Sequence, residues 1–155
     1  MNEKTLVLIK PDSVQRGLVG EILRRFETKG LKVVGLKLMR LDEAVLREHY
    51  AHIAEKPFYP SVEKFMMSSP VAVVCLEGRE CVDAVRLMMG PTKSRIAPPG
   101  SIRGDLAMGY GCNVIHGSDS VENAKLEVAR FFKPEEIIEY DKSEYLHVYS
   151  EDERE

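Results

Sequence analysis

The stretch Thr5-Leu-Val-Leu-Ile-Lys-Pro-Asp12 opens the first regular element of the chain and indicates its type. Residues 5–9 form a short apolar run, and Pro11 disfavours a helical conformation in the residue before it. The stretch therefore predicts a strand that ends at Lys10. Residues 20–29 then carry an apolar stripe at helical spacing and are followed by Gly30, a residue type that commonly ends helices. An amphipathic helix is expected there.

The rest of the chain continues this alternation of strands and helices. Local patterns predict strands at residues 31–39, 71–76 and 113–116, and helices from Asp42 toward Tyr50, at residues 79–89 and at residues 121–132. The order βαββαβ with extra helices predicts a ferredoxin-like α/β (α+β) sandwich. We expect a four-stranded antiparallel sheet with surrounding helices that pack on one of its faces.

Two loops interrupt this order. Residues 56–60 hold two prolines around Phe58 and Tyr59, which predicts a break between short helices in which the large aromatic side chains are not fully buried. Residues 90–100 hold two glycines and three prolines without periodicity. An ordered surface loop of that length usually has a function.

Length and composition limit the class of protein. A chain of 155 residues with 44% hydrophobic residues predicts a single domain over residues 1–155, with a polar tail at 141–155 that either frays or docks on a neighbouring molecule. The formal net charge of −3 provides no basic field for a dedicated nucleic-acid site. Three cysteines without a CxxC pair favour a reducing compartment, and the apolar run at 6–9 is too short for a signal peptide or membrane span. The cytoplasm is the expected location.

The segment Asn113-Val-Ile-His116-Gly-Ser-Asp-Ser120 is the most informative for chemistry. A lone histidine at a strand end is more often structural than catalytic. A neutral imidazole is nevertheless a nucleophile near pH 7, and the start of the following helix offers N–H groups to an anion. Glu127 on that helix is either an exposed carboxylate or a partner for one ring nitrogen of His116.

Three cations are candidates for binding phosphate. Lys10 ends the first strand, Arg86 lies on a predicted helix and Arg103 follows the long loop, although each is equally compatible with a solvated surface charge. The chain has no P-loop and no complete GxGxxG pattern, so side chains must bind any phosphate. Tyr50 and Phe58 are single aromatics of the kind that usually pack in a core, but Phe58 between prolines could stack on a base.

Taken together, the motifs resemble those of the nucleoside diphosphate kinase family from about Lys4 to Tyr140. They are Thr5-Leu-Val-Leu-Ile-Lys-Pro-Asp12, Arg16-Gly-Leu-Val-Gly20, Lys56-Pro-Phe-Tyr59, Pro99-Gly-Ser-Ile-Arg-Gly-Asp105 and Asn113-Val-Ile-His-Gly-Ser-Asp-Ser120. The resemblance implies ping-pong transfer of the γ-phosphoryl group of ATP, GTP or another nucleoside triphosphate to a diphosphate, with Mg2+ and a phosphohistidine on His116.

The resemblance also implies a role for each site residue. Glu127 orients His116, Ser118 bonds that carboxylate, and Tyr50 supports the nucleophile and Lys10. Asp119 lies near Mg2+, through water. The nucleotide is bound by six residues: Lys10, Phe58, Arg86, Thr92, Arg103 and Asn113. The remaining histidines, at 49, 52 and 147, are expected to be dispensable. Tyr110 departs from the family, in which a small aliphatic residue lies opposite the base.

Two further expectations concern the assembly of subunits and the functions other than catalysis that the same fold could have. Exposed sheet edges and the resemblance predict a homo-oligomer, with a hexamer favoured over a tetramer. The unusual Lys93-Ser-Arg-Ile96 stretch lies in the implied subunit-contact loop. A non-catalytic ferredoxin-like module that binds nucleotides or RNA, or has a regulatory role, would share the fold. An RNA-recognition domain requires an aromatic RNP1 strand, which is missing here.

Overall fold

The computed structural model describes residues 2–154. The four strands are β1 (Asn2–Ile9), β2 (Lys32–Met39), β3 (Val71–Arg79) and β4 (Ile115–Gly117). The helices are α1 (Pro11–Gln15), α2 (Val19–Lys29), α3 (Glu43–His49), α4 (Tyr59–Met67), α5 (Cys81–Met89), α6 (Ile102–Leu106), α7 (Val121–Phe131) and α8 (Tyr145–Val148). Between residues 2 and 154, no helix is both long and apolar enough to span a bilayer.

The sheet has the strand order β2-β3-β1-β4, and its described neighbours pair antiparallel. The central pair runs in register from Asn2 opposite Arg79 to Ile9 opposite Ala72. This order confirms the ferredoxin-like fold predicted from the sequence. It places the short strand β4 at one edge, beside the C-terminal end of β1.

The core has two halves because both faces of the sheet are covered. Val7 and Ile9 point to one face with side chains of α2, α5 and α6, whereas Leu6 and Leu8 point to the other with side chains of α3, α4 and α7. The expectation that the helices pack on one face is therefore wrong. The physical reason is that residues 6–9 of β1 and 71–76 of β3 are apolar at every position, which requires cover on both sides of the sheet.

Local signals fix several helix ends. Gly30 ends α2 with φ of 101°, in the left-handed region that favours glycine, and the side chain of Asp42 accepts a hydrogen bond from the N–H of Val45 at the start of α3. Tyr59 differs from expectation because it begins α4 and is buried, while the neighbouring Phe58 stays exposed.

The C-terminal tail docks on its own chain, which differs from both expectations for it. The backbone N–H of Arg79 donates to the hydroxyl of Tyr149 at 3.2 Å. A Cβ built on Gly30 would lie 2.6 Å from a methyl group of Val148, and one built on Gly78 would lie 3.1 Å from the Tyr149 hydroxyl. The tail fits because these two positions have no side chain.

Candidate active site

A cavity of about 1020 Å3 opens beside β4. Its walls come from β4, from the C-terminal ends of α3 and α5, from the loop after α5 and from α7. Nine of the residues singled out from the sequence line it: Lys10, Tyr50, Arg86, Thr92, Arg103, Asn113, His116, Asp119 and Glu127. Chain segments that are far apart in sequence thus meet at one place.

His116, Glu127 and Ser118 form a hydrogen-bonded group at the wall of this cavity. The Nε2 atom of His116 lies 3.4 Å from Oε2 of Glu127, and the hydroxyl of Ser118 donates to the same oxygen at 2.5 Å. The N–H of Leu6 in β1 donates to the Ser118 hydroxyl at 3.3 Å. The carboxylate is therefore held between β4 and the central strand.

The protonation of this group follows from its contacts. Burial raises the pKa of Glu127, but the hydrogen bonds from His116 and Ser118 outweigh burial and hold that pKa below its usual value. An ionised carboxylate only accepts hydrogen bonds, so the proton of the neutral His116 ring belongs on Nε2. The lone pair of Nδ1 is then free to act as a nucleophile.

The backbone before His116 is strained. Val114 has φ of 65°, which is unusual for a β-branched residue. Its N–H donates to Oδ2 of Asp12 at 3.1 Å, and its carbonyl accepts from the hydroxyl of Ser13 at 2.7 Å and the N–H of Lys10 at 3.0 Å. The turn explains why β4 begins at Ile115 rather than at Asn113 as the apolar run predicts.

Lys10 lies in the cavity next to this turn. Its ammonium donates to Oδ1 of Asn113 at 2.7 Å, and Nδ2 of Asn113 donates to the carbonyl of Thr92 at 3.3 Å. Burial, followed by the charge of Arg103, lowers the pKa of Lys10 to about 8. The contacts join the end of β1, the long loop and the strained turn.

Arg103 is buried rather than solvated. Its guanidinium donates to the backbone carbonyls of Asn113 at 3.2 Å, Gly90 at 2.9 Å and Ile115 at 2.6 Å. Burial, followed by the charge of Arg86, lowers its pKa to about 10, so it keeps its charge at neutral pH. Arg103 fixes the loop against β4 and, with Lys10 and Arg86, places three cationic side chains in the lining of the cavity.

His49 is a member of the site for which the sequence has no signal. Its ring lies edge-to-face on that of His116, with 4.5 Å between centroids, and its Nδ1 is 3.8 Å from Oε1 of Glu127. Among residues 2–154, His49, His116 and Glu127 form the one group whose ligand atoms lie close enough to suggest a metal. The guanidinium of Arg130 already donates to His49 Nδ1 at 3.2 Å, which indicates a hydrogen-bonded network instead.

Comparison with known proteins identifies the family of this chain. A family model described as nucleoside diphosphate kinase matches residues 3–137. The chain belongs to the nucleoside diphosphate kinase family. A nucleoside diphosphate kinase of Parabacteroides distasonis is 48% identical over 151 residues, which are 97% of this chain and 99% of that protein. Nucleoside diphosphate kinase B of Canis lupus familiaris is 46% identical over 95% of this chain and 97% of its own length.

The fold agrees with that of a solved nucleoside diphosphate kinase. A halophilic nucleoside diphosphate kinase from Halobacterium salinarum, solved in complex with CDP, has a TM-score of 0.94 at 44% identity and covers 97% of this chain and 100% of its own. The chain is thus an enzyme, a kinase that acts on nucleotides, as its motifs predict. The alternative of a non-catalytic nucleotide- or RNA-binding module is set aside.

The remaining residues predicted for the nucleoside diphosphate kinase site are less close to its centre. Tyr50 lines the cavity with its ring centroid 6.5 Å from that of His116, and burial raises its pKa to about 12. Asp119 lines it as well, and accepts from Nδ2 of Asn123 at 2.6 Å. Phe58, with 54% of its surface exposed, and Tyr110 are not among the lining residues.

Proposed function

We propose that this nucleoside diphosphate kinase works by a ping-pong mechanism through His116. In the first half-reaction, the bond between the γ-phosphorus and the β–γ bridging oxygen of a triphosphate breaks, while a bond forms between that phosphorus and Nδ1 of His116. The diphosphate then leaves. In the second half-reaction, a terminal oxygen of a different diphosphate forms a bond to the phosphorus of the phosphohistidine. The bond between that phosphorus and Nδ1 breaks, which restores the free ring.

The observation that supports this mechanism best is the contact between His116 and Glu127. It assigns the ring proton to Nε2 and leaves the Nδ1 lone pair free in a cavity lined by cations. When Nδ1 forms its bond to phosphorus, the ring becomes cationic. The ionised carboxylate of Glu127 stabilises that charge, and Ser118 fixes the carboxylate in place.

The cations of the cavity have a role in both half-reactions. We infer that Lys10, Arg86 and Arg103 neutralise the phosphate oxygens, and that Thr92 and Asn113 contact the phosphates and the sugar. Phosphoryl transfer depends mainly on in-line positioning and on neutralising charge, and an arginine fixed by three carbonyls provides a rigid contact.

Mg2+ fits the donors of this site only if the nucleotide provides most of its ligands. Asp119 and Glu48 are exposed carboxylates at the cavity, but Glu48 is paired with Arg130, and the carboxylate of Glu127 is already bonded to Ser118. Mg2+ prefers oxygen ligands and usually keeps several waters, so we infer that Asp119 would hold it through water, beside the phosphates of the nucleotide. When bound, the ion would neutralise charge on the transferred group.

We further propose that Phe58 stacks on the base. An aromatic ring with half its surface exposed, outside the wall of the phosphate cavity, is available to a base that extends away from the triphosphate. Stacking discriminates little between bases. Phe58→Ala should therefore raise the Michaelis constants for ATP, GTP and CTP alike, and unaltered constants would refute this role.

The proposed phosphohistidine is tested with γ-labelled ATP. The wild-type protein should take up label that is stable in base and lost in acid, and should pass it to a different nucleoside diphosphate. His116→Ala should abolish both steps, while His52→Ala and His147→Ala retain them. Acid-labile label on His116→Ala, mapped to another residue, would contradict the assignment.

The oligomer and the location are proposals of the same kind. β2 is an edge strand with Leu36 and Leu38 exposed, which supports self-association, and we favour a hexamer. All three cysteines are free thiols, two of them buried, which supports a reducing compartment such as the cytoplasm.

A further inference from the structure

His49 ends α3 and lines the same cavity as the proposed nucleophile His116. Only 1% of its side-chain surface is exposed. Its ring packs edge-to-face against those of Tyr50 at 4.8 Å, His116 at 4.5 Å and Phe131 at 5.3 Å between centroids. The ring of His116 therefore rests on a buried ring that cannot move without disturbing α3 and α7.

The contacts of His49 also define its proton. A guanidinium can only donate, so the 3.2 Å contact from Arg130 makes Nδ1 of His49 an acceptor and places the ring hydrogen on Nε2. That nitrogen is buried without a hydrogen-bond partner. Burial, followed by the charge of His116, lowers the pKa of His49 to about 3, which keeps the ring neutral at neutral pH.

This arrangement decides which histidine pairs with Glu127. Oε1 of Glu127 lies 3.8 Å from Nδ1 of His49, close enough for a protonated Nδ1 to compete for the carboxylate. The donor from Arg130 prevents that competition, because an accepting Nδ1 carries no proton. Arg130 is itself held by Glu48, whose Oε1 lies 3.0 Å from its Nε.

We propose that His49 is a positioning residue for the nucleophile. Its ring braces that of His116, and its accepting Nδ1 holds Arg130 away from Glu127, so that the carboxylate serves His116 alone. The inference rests on the proposed phosphohistidine mechanism, and it reverses the expectation that His49 is dispensable. His49 touches no reacting atom in this scheme and acts through His116.

The charged and titratable groups that face His49 come from three elements. They are Glu48 in its own helix with Tyr50 and His52 just after that helix, His116 on β4, and Glu127 and Arg130 on α7. Any pH dependence assigned to His49 has to be separated from theirs, which requires variants that alter its two contacts one at a time.

Two substitutions separate the contacts. His49→Phe keeps a ring against His116 but removes the acceptor for Arg130, whereas His49→Asn keeps an acceptor near the position of Nδ1 but removes the ring. In both, the single-turnover rate of His116 phosphorylation should fall about ten- to a hundredfold, the range expected for a misplaced reacting group. The Michaelis constant for ATP should change less than twofold. His147→Phe and His147→Asn, at an exposed histidine of α8, should keep the wild-type rate.

A rescue distinguishes positioning from a general loss of packing. In His49→Phe the guanidinium of Arg130 is free to compete for Glu127, so adding Arg130→Met should restore the phosphorylation rate at least fivefold. The pH profile of the rate should likewise shift in His49→Phe and return in the double variant. Wild-type rates in both His49 variants, or no rescue, would overturn the proposal.

A measurement on the wild-type protein avoids dependence on variants that fold poorly. Nitrogen NMR of the imidazole rings should show His49 neutral with hydrogen on Nε2 from pH 8 down to pH 5. A hydrogen on Nδ1, or a charged ring within that range, would overturn the proposal. Failure of the phosphohistidine mechanism is distinguishable, because it would appear as absence of label on His116 in the wild-type protein.

Discussion

At the scale of single residues, the pKa of Lys10 predicts how the binding of ATP depends on pH. Its pKa of about 8 means that the ammonium loses its proton between pH 7 and 9. If Lys10 binds phosphate as proposed, the Michaelis constant for ATP should rise several-fold over that range, measured at saturating diphosphate. Lys10→Arg should show a higher constant that stays flat, since an arginine keeps its charge. A flat profile in the wild-type protein would contradict the role of Lys10.

The lowered pKa of Lys10 also makes the free energy of unfolding depend on pH. Lys10 titrates near 8 in the folded protein and near 10.5 in a free chain, so the unfolded state binds more protons between those values. Stability from this group therefore rises with pH across that window. Deprotonation of Lys10 therefore does not destabilise the fold in that pH range. A loss of nucleotide affinity in the same range would have to come from the lost charge of Lys10.

The contribution of Glu127 to stability also rises with pH, but in the acidic range in which a carboxyl group titrates. Its pKa is lowered in the folded protein, so its contribution to stability is present above the pKa of the unfolded chain and is lost as pH falls through the folded value. Ser118→Ala removes one donor and leaves the buried N–H of Leu6 without its partner. We expect the free energy of unfolding at pH 7 to fall by about 1–3 kcal/mol and acid unfolding to begin at higher pH.

Urea denaturation of Ser118→Ala at pH 7, 5 and 4 tests this expectation. The difference from wild type should be largest at pH 7 and should shrink as Glu127 becomes protonated. Ser143→Ala, at an exposed position of the tail, should match the wild type throughout. A constant difference at all three pH values would show that Ser118 acts through packing alone.

At the scale of helices and strands, local signals account for most of what could be predicted. Pro11, Gly30 and Asp42 mark element ends because a ring, a missing Cβ and a capping carboxylate act within a few residues. The strand at Val71 and the helix at Val121 follow from apolar runs and periodicity in the same way. The βαββαβ order could thus be predicted without any knowledge of long-range contacts.

The features that were missed depend on contacts between distant segments. The left-handed turn at Val114 is held by Asp12 and Ser13 from the start of the chain, and no pattern within residues 113–116 indicates it. His49 reaches His116 only because α3 and β4 meet at the cavity. The family motifs indicated the residues that we propose to contact phosphate, and the roles of Glu127 and Ser118 beside His116. They did not indicate the turn at Val114 or the packing of His49 on His116.

Docking of α8 should depend on the missing side chain at Gly78. A Cβ there would meet Leu31 at 2.9 Å and the Tyr149 hydroxyl at 3.1 Å. Gly78→Ala should therefore displace the tail, increase hydrogen exchange at residues 145–149 and lower the free energy of unfolding by about 1–3 kcal/mol. Gly20→Ala, in α2 with nothing near the new methyl group, should stabilise the protein by up to about 1 kcal/mol. Unchanged exchange in Gly78→Ala would contradict the docking.

At the scale of the whole molecule, the exposed apolar surface of β2 remains to be explained. Leu36 and Leu38 are 55% and 66% exposed on a strand at the edge of the sheet. Unpaired strand edges with apolar side chains favour association with a second copy, and identical subunits associate with closed symmetry. The structure of one chain thus offers a surface suited to pairing.

A hexamer of this chain would have a mass of about 105 kDa, six times the 17.5 kDa of one copy. Light scattering at micromolar concentration should give that value. Leu38→Glu places a charge on the edge strand, where burial against a second copy would cost the charge its hydration, so it should shift the mass toward smaller species. Met67→Glu, on α4 and also partly exposed, should leave the mass unchanged. A monomer mass for the wild-type protein would refute the oligomer. A hexamer mass for Leu38→Glu would show that the subunit interface does not include this part of β2.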